Sequence, residues 1–171
     1  MIDLTTKTDT QIDNLIRNHE EKDARDRPLY PALLKERARR SQARSSLSFD
    51  KSMDLLRRAA MERRCVSYGD LAEASDVPWS EARHKMNGAR GHLDLLIDIC
   101  HANGLPLLSA ICVNKGNLAS GELDPSALAG FIQGARRLGF QVKDELAFHH
   151  ACRDACWKWG EAQRKGSGSI P

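Results

Sequence analysis

The sequence predicts a mostly α-helical fold that carries one short β-hairpin. Three observations lead there. Apolar residues recur at helical spacing in several stretches, most clearly Leu93, Leu95, Leu96, Ile99 and Cys100 within residues 89–101. One apolar run, residues 107–113, has the length and content of a buried strand. It leads into NKGNLASGEL, where Gly116 and Gly121 suit a β-turn and a short return strand.

The chain of 171 residues and 19.1 kDa suits one domain with extensions. Its 41% hydrophobic and 29% charged residues are those of an ordinary soluble protein. Its longest apolar run, within residues 105–113, is far too short to span a bilayer. The start, MIDLTTKTDTQIDN, is too polar for a secretory signal, so a cytoplasmic address and no membrane partner are expected. Five cysteines (Cys65, Cys100, Cys112, Cys152 and Cys156) without close pairing favour reduced, buried thiols. A net charge of +3 and a pI near 8.7 permit nucleic-acid binding without demanding it.

Residues 1–45 read as a charged helical extension. Within residues 9–25, Ile12, Leu15, Ile16 and His19 form a thin helical stripe, which Pro28 and Pro31 interrupt. A second helix is expected over residues 32–44, with Lys35, Arg37, Arg39, Arg40 and Arg44 and little apolar face beyond Leu33 and Leu34. SQARSS then reads as a hinge. Such a segment lacks the apolar surface to fold alone, so it is either mobile or docked on something.

Residues 46–163 read as the main domain. Ser48 precedes an amphipathic helix with Met53, Leu55, Leu56 and Ala59. Ser67 suits the N-cap of a helix that turns Tyr68, Leu71 and Ala72 inward. SDVPW forms a turn. Ser80 is then expected as the next N-cap, with Glu81 complementing the helix dipole. Gly104 stops the long helix and Pro106 prevents its continuation. After the hairpin, Asp124 or Ser126 opens a helix through Phe131 and Ile132 to Leu138. A last helix, about 144–163, is expected to bury Phe148, Cys152, Ala155, Cys156 and Trp159, leaving Trp157 exposed. Residues 164–171, ending in GSGSIP, read as a flexible tail.

Helix, short turn, helix, strand and glycine-bearing hairpin is the order of a winged helix-turn-helix. VSYGDLAEAS (residues 66–75) strengthens that reading with Tyr68, Leu71 and Ala72. So do Gly104, Leu105, Pro106 and Leu107, then Val113, Asn114 and Lys115, and finally Phe148 and the Trp157–Trp159 pair. Over residues 66–159 the chain resembles small winged-helix modules of restriction-associated and mobile-element proteins. The resemblance implies a DNA-binding role without catalysis, as a regulator or a defence or counter-defence factor of a phage or mobile element. The chain departs from the pattern at the wing, where NLASGE replaces a Pro-Gly tip and adds acidic Glu122; residues 1–47 lie outside it. A weaker resemblance, to the DNA-binding half of alkylguanine-DNA alkyltransferases, implies an acceptor cysteine on the strand. Here Cys112 lacks that family's Pro-Cys-His-Arg surroundings and reads as a small hydrophobe.

If residues 80–92 carry the reading helix, Arg83, His84, Lys85, Asn87 and Arg90 face the groove. Arg and Asn can make bidentate contacts with base edges, whereas Lys85 and His84 suit phosphate. Arg37, Arg39, Arg40 and Arg44 would follow the DNA backbone as a basic arm, and Lys115 would add charge at the strand's end. Against this stand Asp70, Glu73, Asp76 and Glu81 around the turn. The alternative partner is a protein, held by the winged-helix surface and the stripe of Ile12, Leu15 and Ile16.

His149, Cys152 and Cys156 share one helical face, and Cys100 or His101 could complete a zinc set. The same positions coincide with the apolar face, so buried thiols are expected, with no metal and no cofactor. His149 and His150 point about 100° apart on a helix and are not expected to grip one ion together. No GxSxG, HExxH or Walker loop is present, and no enzyme is expected.

Overall fold

The computed structural model describes residues 2–167. Of the expected flexible tail, residues 168–171 lie outside the described residues, and residues 164–167 continue the last helix. The fold is mostly α-helical: α1 (Asp9–Glu21), α2 (Leu29–Arg44), α3 (Phe49–Met61), β1 (Val66–Ser67), α4 (Tyr68–Ala74), α5 (Trp79–Met86), α6 (His92–Ala102), β2 (Cys112–Val113), α7 (Pro125–Arg137) and α8 (Glu145–Ser167).

The central element is α6. Leu95, Leu96, Ile97 and Cys100 are buried, so several faces of the helix are covered. α2, α3, α5 and α7 all pack against it. The extension is docked and shares this core: Ile12, Ile16, Tyr30, Leu33 and Leu34 are each at most 1% exposed. The expected hinge is a pinned corner. Gln42, in the last turn of α2, donates to the Leu47 carbonyl at 3.0 Å and accepts from the Phe49 amide at 2.6 Å.

Local signals set most helix starts. Thr8 and Gln11 form a capping box on α1, Ser48 accepts from the Lys51 amide on α3, and Asp124 precedes Pro125 on α7. Gly104 adopts φ +66° just after α6, the left-handed stop that its position demanded. Three helix starts differ from expectation, α2 among them, which begins at Leu29 and takes Pro31 into its first turn. α5 begins at Trp79 behind Pro78, not behind a Ser80 cap, because Pro78 supplies a fixed φ of −58° at no hydrogen-bond cost. The long helix expected over residues 89–101 starts only at His92, behind Gly91.

The strand pairing also differs. β1 and β2 pair in parallel, Val66 opposite Cys112 and Ser67 opposite Val113, whereas a hairpin return strand after Val113 was expected. The residues after Val113 satisfy one another instead. The Asn117 amide bonds to the Asn114 carbonyl and the Gly121 amide to the Asn117 carbonyl, both at 2.8 Å. The Asn117 side chain donates to the Glu122 carbonyl and to Asp124. With its groups used locally, this segment forms a compact turn and leaves no return strand. Upstream, residues 108–111 form a buried 3-10 turn, so only Cys112–Val113 of the expected strand is extended.

α8 packs along α3 on a face close to the expected one: Cys156 is buried, and Phe148, Cys152 and Trp159 pack partly buried against the core. Ala155 is exposed, while His149, Cys156 and Gly160 are buried. A Cβ on Gly160 would lie 2.2 Å from the backbone carbon and oxygen of Ala60, so only glycine allows the two helices this approach. Trp157 is half-buried, with the guanidinium groups of Arg63 and Arg153 over its ring.

Candidate nucleic-acid interface and the cleft beside it

The α3–β1–α4–α5 segment builds the candidate interface. Ser67 Oγ accepts from the Asp70 amide at 3.1 Å while Asp70 accepts from the Ser67 amide at 2.8 Å, a reciprocal box that fixes the start of α4. Leu71 and Ala72 anchor α4 in the core. The turn closes through the Val77 amide to the Ala72 carbonyl at 3.0 Å, with Asp76 at φ +56°. α5 then lies across the surface and buries only Ala82 and Met86.

Its outward face carries Trp79, 45% exposed, with Arg83, His84 and Lys85. Arg83 Nε donates to His84 Nε2 at 3.3 Å. Lys85 Nζ reaches Glu81 at 2.8 Å and Ser46 Oγ at 3.1 Å. The hydrogen bonds from Lys85 and Ser46 hold the Glu81 carboxyl below its usual range. Lys115 is exposed beyond β2.

Asn87 and Arg90 were expected on the same helix, but α5 ends at Met86 and both lie on the loop that follows. Gly88 (φ +93°) and Arg90 (φ +62°) break the helical path. Arg90 turns away from the α5 face and meets Asp13 of α1 at 3.0 Å, while its amide bonds to Asp94 at 2.9 Å. Asn87 and Arg90 thereby line a cleft of about 720 Å³ between α1, α6 and α7. The cleft wall holds a buried ion cluster. Asp98 is fully buried and clasped by Arg37 and Arg137, and Arg137 also reaches Glu20 and Asp94 at 3.4 Å each. Burial works against the charge on Arg137, but Asp98 and Asp94 outweigh it and hold the guanidinium firmly protonated.

Two arginines of the basic arm, Arg37 and Arg40, are turned into the fold, while Arg39 and Arg44 remain 66% and 63% exposed. Arg37 is 12% exposed and committed to Asp98. Arg40 bonds to Glu36, Asp9 and the carbonyls of Leu4 and Lys7. Arg39 makes a two-pronged contact with Glu36 at 2.8 Å on each prong, and Arg44 pairs with Asp9 at 2.9 Å. The hydrogen bonds from Arg39 and Arg40 bring the Glu36 carboxyl down to about 2. Acidic residues interleaved with these arginines offset part of the apparent basic stripe. The stripe expected to dock a protein is likewise occupied, since Ile12 and Ile16 are buried against the chain's own core.

Four of the thiols lie inside, while Cys152, expected to be buried, is only partly so. Cys112 is completely buried, and burial pushes its thiol far above the ordinary value, which suits a packing role and not a nucleophile. Burial likewise raises Cys100 and Cys152 to about 11. His149 and His150 do come together around one point, contrary to the expectation from helical angle. Their rings and the Glu122 carboxylate each place a ligand-type atom within 4.8 Å of the others. The long side chains converge because Glu122 approaches from the turn before α7. Its sequence position gave no sign of that approach.

Among the described residues, no helix is long and apolar enough to cross a membrane. No family model, curated protein or solved structure matches the chain.

Proposed function

We propose that this protein binds duplex DNA without catalysis, as a winged-helix-like module that lays α5 in the major groove. One observation carries the reading. α5 follows a short turn from α4 and buries only two small-to-medium side chains, leaving Arg83, His84 and Lys85 outward on a rigidly seated helix. Arg83 is the base-reading residue, because its planar fork matches the guanine O6 and N7 edge. His84 and Lys85 meet phosphates, and Lys115 extends the contact from the turn beyond β2. Arg37 and Arg40 support the scaffold through their carboxylate partners, whereas Arg39, Arg44 and Arg90 pair with carboxylates at the exposed surface. The resemblance to mobile-element modules supports a regulatory, defence or counter-defence setting.

The test is anisotropy titration on a labelled random-sequence duplex and on a duplex selected by the protein. Arg83→Ala weakens binding to the selected duplex by roughly 10- to 100-fold, as losing one bidentate base contact costs about 1–3 kcal/mol. Lys85→Ala weakens both duplexes alike and lowers the slope of log affinity against log salt by less than the ~0.9 of an unpaired phosphate contact, because Glu81 already pairs with Lys85. Both side chains are exposed, so circular dichroism should report an intact fold. Unchanged affinity in both variants removes α5 from any interface.

A further inference from the structure

We infer that Glu122, His149 and His150 form a binding site for a divalent transition-metal ion, which clips the turn between β2 and α7 to α8. The inference does not depend on DNA binding, since no α5 residue takes part. It begins with His149. This side chain is fully buried, and its Nε2 lies 2.9 Å from the Ala110 carbonyl oxygen. A carbonyl only accepts, so Nε2 carries the hydrogen and the lone pair of the neutral ring sits on Nδ1. Nδ1 is itself buried and has no hydrogen-bond partner. A buried acceptor left unmet is costly. One ring nitrogen donating to a backbone carbonyl, with the other left open, is also how proteins orient metal-binding histidines.

The other two groups stand beside the ring. His150 Nε2 meets Glu122 Oε2 at 2.8 Å, and one ligand atom from each of the three residues lies within 4.8 Å of the others. Two imidazoles and a carboxylate suit zinc, with a fourth position left for water, and zinc ligands around a tetrahedral centre stand roughly 3.4 Å apart. His150 and Glu122 are 35% and 39% exposed along their side chains, so rotation about their own torsions can draw the set together. Arg153 donates to the other Glu122 oxygen at 3.3 Å and orients the carboxylate. It is not stranded when Glu122 turns to an ion. The same guanidinium nitrogen faces the carbonyls of Ser120 and Gly121, and the guanidinium lies 5.4 Å from the centre of the Trp157 ring. Tethering Glu122 to α8 fixes the turn that stands where a wing hairpin was expected.

The experiment uses the full chain without a histidine tag, stripped with chelator and titrated with zinc chloride by calorimetry and by competition with a chromophoric chelator. One zinc per chain is expected, with a rise in melting temperature that grows with free zinc. His150→Ala and Glu122→Gln each weaken binding at least tenfold and abolish that rise, and Cys152→Ser leaves both unchanged. His149→Ala also removes the site but risks the core, so the two half-exposed variants decide. Equal affinity in the wild type, His150→Ala and Glu122→Gln overturns the inference, as does the absence of binding at micromolar zinc. Loss of binding in Cys152→Ser overturns it in favour of a thiol site.

Discussion

Stability should fall as the pH drops from neutral towards 4, and His92 supplies a defined part of that fall. The ring is 3% exposed, stacks on Phe49 with centroids 4.9 Å apart, and shares a 2.8 Å hydrogen bond with Ser52 Oγ. Its second nitrogen, Nδ1, is buried without a partner, so a proton there would meet no acceptor. Burial lowers its folded-state value from 6.5 to about 4. The folded protein therefore prefers neutral imidazole, and this contribution is complete only above the unfolded value near 6.5. It erodes as pH falls through the window between 6.5 and 4, where the unfolded chain takes up the proton first. A shift of this size corresponds to roughly 3 kcal/mol in full, of which about 2 kcal/mol is gone by pH 5. The check is urea denaturation of the wild type and His92→Gln at pH 7.5, 6, 5 and 4.5. Glutamine keeps a polar group near Ser52 but cannot titrate. The variant should be less stable at pH 7.5, and the gap should close by about 2 kcal/mol on reaching pH 5. Comparing the two proteins cancels His149, which burial depresses in the same direction, and the paired carboxylates. A gap that stays constant across the series refutes the argument.

Two further perturbations test the packing. Asp98→Asn keeps the shape of the side chain but leaves the buried guanidinium groups of Arg37 and Arg137 short of their shared counter-charge; a loss of about 3–5 kcal/mol is expected from urea midpoints. Gly160→Ala places a methyl group against the rigid Ala60 backbone, where no side chain can swing aside, so a loss of at least about 1–3 kcal/mol should appear as a lower melting temperature.

The parts legible in the sequence are those decided within a few residues. Ser48 and Ser67 cap the helices they were expected to cap, Asp124 opens α7, and Gly104 ends α6. The two serines each satisfy a nearby backbone amide, Asp124 stands before Pro125 at the helix start without a side-chain cap bond, and Gly104 takes a positive φ. The misreadings involve partners far apart in the chain. Arg37 looked free because Asp98, 61 residues on, gives no local hint of pairing with it. The apolar run around Cys112 promised a strand but not the parallel partner at Val66. On α8 the helical period was right and the inward face only slightly displaced. Ala155 was counted inside by its apolar character, whereas the space beside α3 selects Gly160, and the Ala110 carbonyl selects His149. Glu122 was noticed only as a departure from a wing pattern; its convergence with two histidines belongs to the folded turn alone.

The redistribution of charge bears directly on how the protein would hold DNA. A net charge of +3 first suggested a basic extension feeding a weakly basic domain. In the fold, the arginines of α2 are held by Asp9, Glu36 and Asp98, and Arg90 by Asp13. A charge already matched by a carboxylate displaces few counterions when it nears a phosphate, so these residues would add little to salt-dependent affinity. The proposed interface then rests on the few outward cations of α5 and on Lys115, with Glu81 partly opposing Lys85. An interface this sparse should show a shallow salt dependence and draw its discrimination from Arg83. The extension contributes stability instead: removing it would strip α2, with Leu33 and Leu34, from α6, together with α1, whose Ile12 and Ile16 share the same core. A truncated chain should therefore lose its fold before it shows any change in how it meets DNA.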